Sequence, residues 1–194
     1  MRRSSSIFAL VVLAQLAVPA WMIVAHERVL NKGELFKFRT APVDPRDPFR
    51  GEYVMLNFDA ETGPWKDPAV EGGFQNETTF ALLETDTAGS AVITQLLTDR
   101  PQQGSYLMVE KGYLLDDTLV QMVSLPFDRF YLEEGDGAKT EHMLAPQWDG
   151  ETLSQPLPAY ALVRVYDGQA VIEDLIVGDR SIHDWLKDMP SKEP

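Results

Sequence analysis

Ala159-Tyr160-Ala161-Leu162-Val163-Arg164-Val165-Tyr166, Asp167-Gly168, Gln169-Ala170-Val171-Ile172-Glu173-Asp174-Leu175-Ile176-Val177 is the strongest hairpin signal in the chain. Two runs rich in β-branched and aromatic residues flank Asp-Gly. That dipeptide suits a type I′ turn, in which both central residues take φ > 0. Working back from it, residues 79–84 and 91–97 flank Asp86-Thr87-Ala88-Gly89 as a second hairpin-like pair. Residues 106–115 read as a strand, with Gly112 marking a bulge or a close backbone approach. Asp116-Asp117 turns the chain into a strand at 118–123, and 127–132 is a further aromatic strand. Residues 34–40 alternate, with Phe36 and Phe38 on one side. Residues 59–77 read as loop, with Trp65 and Phe74 tucked back onto the core. In the body, helical signals are confined to short stretches at 138–145 and 182–189, the latter packing through Trp185 and Leu186. The expected fold is mainly β: a single antiparallel β-sandwich or open barrel-like domain with minor helices.

A second stretch is more singular: Asp44-Pro45-Arg46-Asp47-Pro48-Phe49-Arg50-Gly51-Glu52-Tyr53-Val54-Met55-Leu56-Asn57-Phe58. Pro45 and Pro48 lock their own φ and push Asp44 and Asp47 towards extended geometry. Arg50-Gly51 offers a turn. From Tyr53 the pattern alternates, with Val54, Leu56 and Phe58 forming an apolar face and Tyr53, Met55 and Asn57 the other. This predicts a strand launched from a rigid, charged turn.

The run from Arg50 to Phe58 resembles the signature of the bacterial family named for its GDYXXLXY motif, with Glu52 in place of Asp and Phe58 in place of the last Tyr. The lead-in Pro42-Val43-Asp44-Pro45-Arg46-Asp47 and the later block Phe127-Asp128-Arg129-Phe130-Tyr131-Leu132-Glu133-Glu134-Gly135 resemble it too. The resemblance implies a membrane-anchored protein, often encoded beside multi-pass membrane proteins. It carries over no reaction.

Residues 7–25 form a 19-residue run without a charge. As a helix it would span roughly 28 Å, close to the hydrocarbon thickness of a bilayer. Arg2 and Arg3 precede it, so the positive-inside rule predicts a cytoplasmic N-terminus and an exported body. A cleaved signal peptide is the rival reading, with small residues at Val18-Pro19-Ala20 before Trp21. The apolar character that continues to Ala25 favours an anchor. The expected division is 1–6 cytoplasmic, 7–25 transmembrane, 26–33 a stalk capped by Gly33, and 34–194 an extracytoplasmic β-rich domain of about 160 residues. Gln15 and Pro19 lie within the apolar run. Pro19 frees a carbonyl one turn earlier, near Gln15, so the two are candidates for contact with a partner transmembrane helix.

The net charge is −13, and beyond residue 25 there are 15 Lys and Arg against 30 Asp and Glu. Such a surface repels nucleic acid and anionic lipid. With no cysteine there are no disulfides and no thiolate metal sites. No nucleophile, phosphate-loop or dinucleotide motif is present, and no cofactor is expected. An anchor, a strand and a Pro-containing turn before Arg-Gly-acid-Tyr-Val loosely resemble the region of the serine in type I signal peptidases. Such enzymes need a Ser activated by a Lys. This chain has no Ser between Ser6 and Ser90 and no Lys within 38–65, so the position is empty.

Asp44, Asp47 and Glu52 offer hard oxygen ligands, but the intervening Arg46 and Arg50 suit ion pairs and capping, and no metal site is assigned. His142, beside Glu141 on the short helix, reads as an ordinary satisfied residue. Tyr53, Phe58, Phe130 and Tyr131 read as core aromatics rather than a groove. The expected function is that of a non-catalytic accessory or interaction subunit of an integral membrane protein. Its interface candidates are Asp44, Arg46, Asp47, Arg50, Gly51, Glu52, Tyr53, Leu56 and Phe58. The alternatives are an envelope hydrolase or metal-dependent enzyme built on the acidic turn, and a small-ligand sensor domain.

Overall fold

The computed structural model describes residues 2–41, 53–63, 78–115, 120–144, 147–148, 153–154 and 157–189. The chain opens with helix α1 (Arg2–Lys32), which contains Pro19. Its segment Leu10–Lys32 is long and apolar enough to cross a membrane. The most apolar window is 0% buried, so α1 is not a core helix of the body. A membrane anchor and a signal sequence both fit it. The helix continues through the expected stalk as far as Lys32, and Val29 in its last turn is only 2% exposed.

Gly33 follows directly. Its N–H donates to the Val29 carbonyl at 2.8 Å, as a helix cap should. Its backbone is not left-handed. What requires glycine here is proximity: a Cβ would stand 2.4 Å from the Val29 carbonyl oxygen and 3.1 Å from both the Arg164 Cβ and the Val165 nitrogen.

The body is mostly β, built of antiparallel sheets that include a nearly closed five-strand barrel. Strands β1 (Glu34–Ala41), β2 (Tyr53–Met55), β3 (Asn57–Phe58) and β4 (Thr62–Gly63) come first, with a single 3-10 turn at Asp59–Glu61. Then come β5 (Thr78–Thr85), β6 (Ala91–Leu97), β7 (Tyr106–Leu115), β8 (Val120–Ser124) and β9 (Arg129–Tyr131). Helix α2 (Gly137–Leu144), β10 (Gln147–Trp148), β11 (Leu153–Ser154), β12 (Ala159–Tyr166), β13 (Gln169–Val177), β14 (Arg180–Ser181) and α3 (Ile182–Asp188) complete it. One five-stranded sheet has the order β14-β13-β12-β1-β3, and the other β4-β8-β7-β5-β6. Two-stranded ribbons pair β2 with β9 and β10 with β11.

The Asp167-Gly168 turn has φ of 55° and 78°, the two positive values a type I′ turn needs. It carries β12 into β13 with Tyr166 facing Gln169. Along β12, Ala159, Ala161, Val163 and Val165 are buried in strict alternation, the signature of a strand with one face on the core. The turn also joins the sheets. Gly168 forms a parallel bridge with Leu107, and its carbonyl accepts from Met108 N at 3.0 Å. Gly112 fits both of its predicted readings: the β7–β8 register shifts between Lys111 and Leu114, and a Cβ at Gly112 would lie 3.2 Å from Met122.

One continuous apolar core joins the elements, with Phe38, Leu56, Leu96, Leu107, Leu175 and Ile182 fully buried within it. Phe38, Phe58 and Phe127 form an edge-to-face trio with ring centroids 5.2–5.9 Å apart, the offset geometry that aromatic quadrupoles favour. Helix α3 closes one side, with Trp185 Nε1 donating to the Val177 carbonyl at 3.0 Å.

Candidate functional site

The two distinctive blocks of sequence meet in space. Strand β2 pairs antiparallel with β9, matching Tyr53 to Tyr131, Val54 to Phe130 and Met55 to Arg129. Leu56 N–H then donates to the Asp128 carbonyl at 2.7 Å, and the Phe58 ring meets Phe127. Because strand side chains alternate, this register sends Val54, Leu56, Phe58 and Phe130 inward, each no more than 6% exposed. The same register turns Tyr53, Met55, Arg129 and Tyr131 outward. Tyr53 and Tyr131 lie with centroids 5.9 Å apart, and the Arg129 guanidinium sits 5.4 Å from the Tyr53 ring. Tyr131 is 67% exposed. Reading the aromatics as core is right for Phe58 and Phe130; Tyr131 departs from it, because pairing opposite Tyr53 leaves it on the outer face.

Glu61 holds the motif strand to the segment between β8 and β9. Its Oε2 accepts from Phe58 N–H at 3.0 Å and its Oε1 from Leu125 N–H at 3.5 Å. Burial pushes the Glu61 carboxyl above its ordinary value, against the opposing pull of those two donors, and the Asp128 carboxylate adds to the rise. Nothing in the sequence reading singles out Glu61. A glutamate three residues after the start of a helical turn is the spacing of a capping box. Phe58 at the cap position, in place of Ser or Thr, hides the signal.

A second cluster lies where α1 enters the body. Lys32, Glu34, Arg100, Ser105, Tyr166 and Asp167 line an open, polar cleft of about 430 Å³. Arg100 pairs with Asp167, Tyr106 Oη donates to the same carboxylate at 2.7 Å, and Ser105 Oγ donates to Glu34. Burial pushes the Tyr106 phenol up, and its bond to Asp167 adds to the rise. Sequence reading takes Asp167 for a turn residue only and passes over Arg100 and Tyr106. Three segments distant in sequence build this cleft, so no local pattern announces it.

The predicted turn residues Asp44, Arg46, Asp47, Arg50, Gly51 and Glu52 lie outside the described residues, as do Trp65, Phe74, Asp116 and Asp117 and the side chains of Glu141 and His142. Among the site candidates that are described, the fold divides Tyr53 from Leu56 and Phe58, which are core. Gln15 and Pro19 are exposed on α1, one turn apart. Among the described residues no group of three or more His, Asp and Glu gathers as metal ligands would.

Fold and site together define a class: a mostly β body behind an apolar N-terminal helix, with a two-block aromatic ribbon on its surface. A family model described as GDYXXLXY protein matches residues 15–175, and the chain belongs to that family. No curated protein and no solved structure matches the chain.

Proposed function

We propose that the chain is a single-pass protein of the bacterial cytoplasmic membrane, with its β body outside the cytoplasm. On this reading it serves as a non-catalytic accessory subunit of an integral membrane protein. The observation that carries the proposal is the joint between helix and body. Val29 is buried, Gly33 packs against β12, and Arg164 Nη1 donates to the Gly33 carbonyl at 3.3 Å. A body keyed to its helix in this way holds a fixed attitude, which an interface built around a membrane neighbour requires.

Tyr53 and Met55 follow soon after residues 44–52 in sequence, and with Tyr131 they form the outward face of the ribbon. Large aromatics of this kind are favoured anchors at interfaces. Gln15 and Pro19 are the contact proposed within the bilayer. The test is a mild-detergent pull-down of the full chain followed by mass spectrometry. A membrane protein recovered with the native chain and depleted with Tyr53→Ala/Tyr131→Ala or Asp47→Ala is the expected result. Equal recovery with these variants removes the ribbon as the interface. Intact mass of the mature chain tests the anchor, and a product shortened near Trp21 overturns it.

A further inference from the structure

We propose that the cleft at the root of α1 binds a small zwitterionic group carrying a phosphate and an ammonium, as borne by an ethanolamine phospholipid. The inference rests on the membrane reading and gives the body a lipid ligand. Lys32 lies about 10 Å along the helix from Ala25, the last residue of the apolar run. The headgroup layer is about 5–8 Å thick on each side of the hydrocarbon. Continuous helix therefore sets the Lys32 backbone about 2–5 Å beyond that layer, a gap the lysine side chain can span. The cavity of about 430 Å³ falls in the range of small-molecule sites, towards its lower end.

The lining chemistry selects the ligand. Lys32 and Arg100 supply two cations, and Glu34 and Asp167 two carboxylates. A simple anion would face two repelling carboxylates, and a simple cation two repelling ammonium or guanidinium groups. A zwitterion satisfies both sets, with phosphate towards Lys32 and Arg100 and ammonium towards Glu34 and Asp167. Lys32 has no ion-pair partner among the described residues, and the Arg100 and Asp167 side chains remain 62% and 50% exposed in their pair, so all three present charge to an incoming group. Tyr166, 40% exposed at the rim, offers an amphipathic ring of the kind enriched at membrane–water interfaces. The choice also accords with the acidic body, which disfavours an anionic lipid.

The experiment uses the full chain in a non-ionic detergent. Phosphoethanolamine, inorganic phosphate and ethanolamine are titrated separately while amide shifts are followed. Retention of ethanolamine and choline phospholipids of equal chain length is read by native mass spectrometry. The expected result is saturable binding of phosphoethanolamine at least tenfold tighter than either half alone, with preferential retention of the ethanolamine lipid. Lys32→Ala, at an exposed position that leaves the fold intact, should weaken both by tenfold or more. Equal binding of inorganic phosphate, or binding indifferent to Lys32→Ala and Arg100→Ala, overturns the proposal. Soluble phosphoethanolamine binding without lipid retention overturns the lipid as its source. The soluble titration reads the cleft whether or not the helix proves to be an anchor, so failure of the membrane reading is seen separately, in the intact mass.

Discussion

The guanidinium of Arg164 reaches from the middle of β12 to the carbonyl of Gly33, 3.3 Å away, while its Nε is held by Glu173 Oε2 at 2.6 Å. A residue facing the incoming helix is thereby tied to the neighbouring strand. The body's central hairpin and the end of α1 share one set of polar contacts.

Replacing Gly33 with Ala should therefore loosen the joint. The added methyl meets backbone oxygen and backbone nitrogen, which cannot swing aside as a side chain can. Overpacking of this kind costs about 1–3 kcal/mol. Denaturation of the full chain in detergent measures the loss. Faster hydrogen exchange at Val29 and Val165 should accompany it.

Two glycines with similar backbones separate strain from packing. A Cβ at Gly89 (φ 82°) would stand in open space, whereas at Gly168 (φ 78°) it would lie 2.9 Å from the Tyr106 ring and 3.0 Å from Met108. Gly89→Ala should cost about 1 kcal/mol, the penalty of a left-handed alanine. Gly168→Ala should cost more, with the excess reporting the sheet-to-sheet contact. Equal losses in urea denaturation would dismiss that contact as a source of stability.

Within the motif, parity decides tolerance. Leu56→Ala opens a cavity at a position 1% exposed and should cost about 2–5 kcal/mol. Tyr131→Ala, on the solvent side of the same ribbon, should stay within about 0.5 kcal/mol. Thermal denaturation midpoints distinguish them.

Glu61→Ala strands the N–H groups of Phe58 and Leu125, at about 1–3 kcal/mol for an unsatisfied buried donor. The carboxyl also gives a pH dependence with a definite sign. Folding raises its pKa above the ordinary 4.5, so the folded state holds the proton more tightly than the unfolded state. Its contribution to stability is present below 4.5 and is lost as pH rises through the folded value. Glu61→Gln should flatten that decline in urea midpoints taken from about pH 4 upwards, even though its amide satisfies only one of the two donors.

Much of this chain is readable locally. Two-residue alternation in residues 53–58 marks Val54, Leu56 and Phe58 as the buried face, and Asp167-Gly168 declares its turn, because both signals depend on the geometry of adjacent residues. The uncharged run at 7–25 announces its helix for the same reason. Alternation does not name a strand's partner. That Tyr53 faces Tyr131, and that Tyr131 is consequently exposed, follows from packing Val54 and Phe130 into a shared core. Bulges opposite Leu82 and Leu162 shift the phase of β6 and β13, so that Leu96 is buried three residues after Ile93, beyond what a period of two foretells. Gly33 is needed for the approach of a strand that begins far along the chain, and the cleft exists only where three remote segments converge. Local periodicity chose the elements and their inner faces; long-range burial chose the partners, and with them the surfaces left free to act.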